Sequence, residues 1–468
     1  MDSALGYPTR ATLLSPTVES VRAARSAPVD AEPPSIMQHD HLEGIRAGAT
    51  GRYLGVITRI SAPLRLTALT RAVTEFVHDH DGLRTWFEPT RTGYARHVIE
   101  AAAVSFHSYD LPSPPDGDWA SALTGHFDAT TSPLRWPTAA FAALPGDGSF
   151  EVVFAVDPAF GDGLAQALAA YELTDRYRGQ LEHRPSVSFV DHTEYVTDRN
   201  DRRIVDELFP RWERTLPRLY SRWEQPLTPP PPNTVAERPG SARVADRGAV
   251  ESSVLLDSEL TAAFDQVLAR TGTEVPAALF TVLALTDFDL TGSEIFWSMT
   301  APTLPFGDRF RAGGGWCTNF VPIWFELESA PTFTSTLACA RAALERGNRV
   351  SGTTMPSDIY QLWTRAYRSD GTEEPSLVTI LDLRVADNAL GPDADTRIFS
   401  THGTNSCISI WLARTGSEYV ACAGGPDQPE SRAQTDHYIC RLRQIMVAVA
   451  RNGDHRSTYP ITGGAVAR

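Results

Sequence analysis

Phe154-Ala-Val-Asp-Pro-Ala-Phe-Gly-Asp-Gly-Leu-Ala-Gln-Ala-Leu168 passes from the end of an apolar run, through a turn, into a helix. The run begins at Phe150 and is nearly continuous to Val156, the pattern of a strand buried on both faces rather than one. Asp157-Pro158 ends it, since aspartate forms turns through its own side chain and proline cannot donate to a sheet. Asp162-Gly163 then opens a helix with Leu164, Leu168 and Tyr171 on one face. Strand, turn and helix in that order predict a mixed α/β fold.

The same alternation extends outward. Tyr53–Ile60 reads as a β-branched strand closed by Pro63. Leu66, Leu69, Val73, Phe76 and Val77 recur at three and four, which predicts an amphipathic helix ending near Asp81-Gly82. Leu83–Glu88 and Tyr94–Ile99 read as a strand pair across a Thr-Gly turn. From Pro226 to Gly240 the stretch PLTPPPPNTVAERPG is stiff and extended, the best boundary in the chain. We expect an N-terminal unit at 1–225, a Pro-rich linker at 226–243 and a C-terminal unit at 244–468. In the latter, strands are expected at Ala249–Leu256, Ile295–Thr300, Val321–Leu327, Ser376–Asp382, Ser409–Ala413 and Tyr419–Ala423. Helices are expected after Asp257 or Ser258, from Pro276, and over Asp436–Ala450.

Composition narrows the chemistry. The 468 residues are 42% apolar and 21% charged, enough for two ordinary cores. A formal charge of −15, from 57 acidic and 42 basic residues without a basic run, argues against nucleic acid as a partner. All 42 basic residues are Arg, which excludes Schiff bases, pyridoxal attachment and a phosphate-binding loop lysine. It also has the look of a GC-rich bacterial coding bias. The five cysteines show no C-x-x-C spacing, so neither a metal cage nor a disulfide framework is expected. The first residues lack a basic start with an apolar run, and no apolar stretch reaches 18 residues. A cytoplasmic, soluble protein without membrane contact is the expectation.

Three separated segments, in order, resemble the condensation superfamily of chloramphenicol-acetyltransferase-like proteins. This group includes nonribosomal peptide synthetase condensation domains and polyketide-associated acyltransferases of actinobacteria. Ala68 to Phe87, with His80-Asp-Gly-Leu-Arg-Thr-Trp-Phe87, looks like the family's first helix and its ending. Asp157-Pro-Ala-Phe-Gly-Asp-Gly163 stands where the family has His-His-x-x-x-Asp-Gly. Gly315-Trp-Cys-Thr-Asn-Phe-Val-Pro322 is similar to Gly-x-Phe-x-Asn-x-x-Pro, and Leu381-Asp-Leu-Arg384 to an Asp-x-Arg strand.

The resemblance implies two acetyltransferase-like lobes in a V shape with a tunnel between them. An acyl or peptidyl thioester would arrive on a carrier protein or coenzyme A, with phosphopantetheine as substrate carrier rather than cofactor. A small-molecule amine or hydroxyl would attack it, in antibiotic or other natural-product biosynthesis. In relatives the second histidine acts on the attacking group. Pro158 occupies that position and cannot accept a proton. Asp157 replaces the first histidine, and an ordinary aspartate is a poor base at neutral pH. The resemblance further implies that Asp162 fixes the loop, with Arg309 as its best-placed partner and Arg311 second. Gly163 would give close backbone approach, and Trp316, Cys317 and Asn319 would line the tunnel.

Asp157 and His402 are the replacement-base candidates, each weighed against a structural role. His78 and His80 read as solvent-facing or structural. His39 and His41 have a two-residue spacing without a third ligand, so no metal is expected. Three functions remain open: acyl transfer without the histidine, a tunnel repurposed for cyclisation or another reaction, and a non-catalytic carrier-binding or recruitment module.

Overall fold

The computed structural model describes residues 10–47, 53–114, 117–180, 249–300, 321–351, 377–384, 396–401, 409–425 and 429–459. The linker expected at 226–243 lies outside them. In chain order the first elements are β1 (Thr12–Pro16), α1 (Val18–Arg25), β2 (Val29–Asp30), α2 (Ile36–Arg46), β3 (Tyr53–Ile60) and α3 (Leu66–Asp79). β4 (Thr85–Pro89), β5 (Tyr94–Val98), β6 (Phe106–Asp110), α4 (Trp119–Thr130), β7 (Ala139–Pro145), β8 (Phe150–Val156) and α5 (Gly163–Arg178) follow. The second half contains β9 (Ala249–Leu256), α6 (Ser258–Thr271), α7 (Val275–Thr291), β10 (Ile295–Thr300), β11 (Val321–Glu326) and α8 (Phe333–Ser351). β12 (Leu377–Asp382), β13 (Thr396–Thr401), β14 (Ser409–Arg414), β15 (Tyr419–Gly425) and α9 (Pro429–Asn452) complete it.

The mixed α/β fold is built on two six-stranded sheets, ordered β13-β3-β8-β7-β1-β6 and β11-β10-β12-β14-β15-β9, with a small β2-β5-β4 sheet beside the first. β8 has the double burial expected of it. Phe154 and Val156 join the core under α3 and α5. Val153 and Ala155 face the opposite core, with Phe127 of α4. In the second sheet, β10 and β12 pair in parallel, as do β12 and β14. Val378, Ile380, Ile410 and Leu412 pack in one core with α6 to α9. α7 is apolar on nearly every side and correspondingly buried, the signature of a central helix.

Local signals explain most ends. Asp257 caps α6 by accepting from Leu260 N–H, and Gly272 ends it in the left-handed region at φ 56°. Ser35 and Gln38 form a reciprocal capping box on α2. Three differences from the sequence reading stand out. Thr12–Pro16 and Val18–Arg25, unassigned from sequence, form β1 and α1. The closing helix begins at Pro429 rather than Asp436, because proline suits a first helical turn. Thr396–Thr401, unassigned from sequence, crosses to the first sheet and pairs antiparallel with β3, Phe399 opposite Gly55. Gly55 is required there: a Cβ would sit 2.2 Å from Phe399 Cζ. Arg397 and Arg59 both pair with Glu151 across these strands.

Candidate functional site

β8 delivers Asp157 to the end of the first sheet. Pro158–Phe160 form a single 3₁₀ turn, with proline at its start and Asp157 as its cap. Asp157 Oδ1 accepts from Ala159 N–H at 2.8 Å and from His41 Nε2 at 2.9 Å. The Asp157 backbone N–H donates to Thr138 O at 3.1 Å. Gln38, fully buried, donates through Nε2 to Ala159 O at 2.8 Å. α2 therefore clamps the turn twice, at a carboxylate and at a carbonyl. Asp157 is 2% exposed and His41 8%, so the carboxylate binds inward, into the protein. Phe160 closes the turn from below, buried and stacked on Phe87 with centroids 5.6 Å apart.

Asp162 begins the next element. Its Oδ1 accepts from Ala165 N–H at 2.8 Å, an N-cap on α5. Gly163 faces the second sheet: a Cβ there would lie 2.7 Å from Leu381 Cδ2 and 3.3 Å from Trp411 Cζ3. Leu381, Leu383 and Ala413 form a small core of their own with Trp411 and Ile398 packed against it. The seven residues from Asp157 to Gly163 thus span from a pin inside one sheet to a contact with the other.

A charged network lies one layer deeper. His80 Nε2 binds Glu172 Oε2 at 2.9 Å, while Arg176 donates to Asp79 at 2.6 Å and to Glu172 at 3.3 Å. All four side chains are nearly buried. Burial pulls the Glu172 pKa upward, but the His80 hydrogen bond and the charges of His80 and Arg176 outweigh it and hold Glu172 below the usual glutamate range. A cavity of about 10 Å³ adjoins this network, walled by Phe76, Phe160 and Ala169 and carrying His80, Gln166 and Glu172.

Of the residues singled out from sequence, the structure brings Asp157, Pro158, Asp162 and Gly163 into one loop. Arg309, Trp316, Cys317, Asn319 and His402 lie outside the described residues. His39 and His41 diverge, as a two-residue spacing on a helix dictates. His39 packs edge-on against Tyr94, while His41 takes Asp157. His78 and His80 have structural contacts, with Val104 O and Glu172. Cys422, half-buried, has its thiol pushed up to about 11 by burial, the opposite of an activated nucleophile. Glu172 and Arg176, buried on α5 as Ala169 is, went unassigned from sequence. Among the described residues no single helix is long and apolar enough to cross a membrane.

No protein-family model matches the chain. In sequence it is 22% identical over 450 residues to the trehalose-2-sulfate acyltransferase PapA2 of Mycobacterium tuberculosis, covering 93% of both chains. It is equally identical over 464 residues to the 2'-acyl-2-O-sulfo-trehalose (hydroxy)phthioceranyltransferase PapA1 of the same species, covering 94% of this chain and 86% of that one. In structure it superposes on a PapA2 acyl transferase with TM-score 0.73, 18% identity and 95% and 97% coverage. The first condensation domain of the CDA synthetase follows at 0.65, with 17% identity and 89% and 96% coverage. The X-domain from teicoplanin biosynthesis gives 0.61, with 16% identity and 92% and 98% coverage. Two six-stranded sheets, joined by a crossing strand and matched along nearly the full length of these neighbours, give the chain the fold of the PapA2 acyl transferase and of the condensation domain.

Proposed function

We propose that the chain transfers an acyl group from a thioester, on a carrier protein or coenzyme A, to a small-molecule hydroxyl or amine, with no side-chain base at position 158. The observation that carries this is the likeness in sequence and structure to acyltransferases across more than nine-tenths of the chain. A sugar hydroxyl is the first acceptor to test, since the two sequence relatives are named for trehalose sulfates.

The chemistry divides into a part retained and a part withdrawn. A positioned general base contributes about 10² to 10⁴ in rate, whereas holding two reactants in attacking geometry contributes more. Pro158 has no proton acceptor, and Asp157 directs its Oδ1 to His41 and Ala159. Our reading gives Asp157 the task of holding the turn. Catalysis then rests on positioning, with His402 the remaining candidate for a proton acceptor and Trp316, Cys317 and Asn319 for the substrate walls. The setting we propose is nonribosomal peptide or polyketide metabolism.

A second reading, a recruitment module without turnover, has one observation in its favour. The teicoplanin X-domain has the same fold, and one neighbouring structure is a complex of that X-domain with OxyB. Incubating the protein with acyl-carrier and acyl-coenzyme A thioesters and an acceptor panel, followed by intact-mass analysis, separates the readings. Acyl transfer predicts loss of the acyl group from the carrier with a matching gain on the acceptor. Recruitment predicts carrier binding without mass change, and a repurposed cyclising tunnel predicts an altered acyl mass without acceptor addition.

A further inference from the structure

We infer that the cavity beneath the Pro158–Phe160 turn is a binding site for one buried water molecule, held between Gln166 Oε1 and the Glu172 carboxylate. This site is independent of which reaction the protein performs. Its volume, about 10 Å³, is at the lower bound for a single water. Cavities walled only by hydrocarbon stay dry. Here Phe76, Leu83, Phe154 and Phe160 supply apolar walls, but Gln166, Glu172 and His80 interrupt them.

Gln166 is the independent observation. It is 1% exposed, and its Oε1 has no hydrogen-bond partner among the described residues, although buried acceptors are nearly always paired. Its placement is constrained, with Nε2 3.0 Å from where a Cβ on Gly161 would sit. Water has two O–H donors. Two residues that line the cavity carry acceptors for them, the amide oxygen of Gln166 and the carboxylate of Glu172, which has lone pairs beyond those used by His80 and Arg176. A metal ion fits poorly, because Arg176 already brings a cation to within 3.3 Å of Glu172. The water joins the first turns of α5 to the network of His80, Glu172, Arg176 and Asp79. Through Phe160 it also supports the turn that carries Asp157 and Pro158.

High-resolution crystal structures of the full chain and of Gln166→Met test this. The expected result is an isolated density peak about 2.7–3.2 Å from Gln166 Oε1, lost in the variant. An empty cavity in the wild type, Oε1 turned onto a protein donor, or a peak that survives Gln166→Met overturns the assignment. Should that variant fail to fold, Ala169→Ser places an oxygen in the same space. Water-¹⁷O relaxation dispersion should then count one fewer long-lived water than in wild type, and an unchanged count overturns it.

Discussion

The two ends of the Asp157–Gly163 loop are held in opposite ways. At Asp157 the polar contacts run inward, to His41 from α2, to Thr138 and to the turn's own amide. At Gly163 the contact runs outward, to Leu381 and Trp411 of the second sheet, and depends on the absence of a side chain. The first end is an electrostatic pin and the second a steric fit. A loop fixed at both ends keeps its shape whatever side chain stands between them, and here Pro158 stands there without a proton acceptor.

The largest predicted effect breaks the pin. His41→Ala removes a hydrogen-bond partner of the buried Asp157 side chain and leaves a cavity, and a buried polar group short of its partner costs about 1–3 kcal/mol before the cavity is added. Denaturant unfolding should show that loss, while His41→Gln, which can still donate to Asp157, should recover part of it.

Next is the steric end. Gly163→Val forces a branched side chain into Leu381 and Trp411, and overpacking of this kind costs about 1–3 kcal/mol. If the two ends are distinct, the turnover measured in the transfer assay should fall further in this variant than its stability loss accounts for. A stability-matched substitution remote from the loop, such as Leu268→Ala in the second core, provides the control.

A smaller effect concerns pH. The folded-state pKa of Glu172 lies below its ordinary value, so Glu172 contributes stability fully above the unfolded value, about 4.3. That contribution is lost as pH falls through the folded pKa. Glu172→Gln should flatten part of the acid limb of the stability profile. An unchanged slope between about pH 5 and 2 would remove Glu172 from the account.

The smallest effect is expected at Asp157 itself. Asp157→Asn keeps an oxygen that accepts from Ala159 and His41, so turnover should stay within a few-fold of wild type. A loss of about 10² or more would instead make Asp157 a base.

The sequence disclosed what depends on neighbours along the chain. β8 was legible because seven consecutive positions lack a polar face, and α3 because its apolar residues recur at helical spacing. The Ser35-x-x-Gln38 cap was equally local and went unread among prolines. What escaped depends on distant partners. β13 alternates too briefly to announce itself, and its place is set by Gly55, over 300 positions earlier. The pin was hidden for the same reason: His41 and Asp157 are 116 positions apart, and the spacing of His39 and His41 drew attention to metal chemistry instead. Asp162-Gly163 was legible as a cap and a close approach, but not that the approach is to Leu381 and Trp411.

Intact-mass spectrometry of an acylated carrier protein incubated with this protein and a hydroxyl acceptor decides whether the chain moves an acyl group. Acyl transfer by positioning predicts the acyl mass leaving the carrier and appearing on the acceptor, at a rate that Asp157→Asn leaves nearly unchanged. Carrier and acceptor masses that stay constant across acyl donors and acceptors, with the carrier still bound, would contradict it.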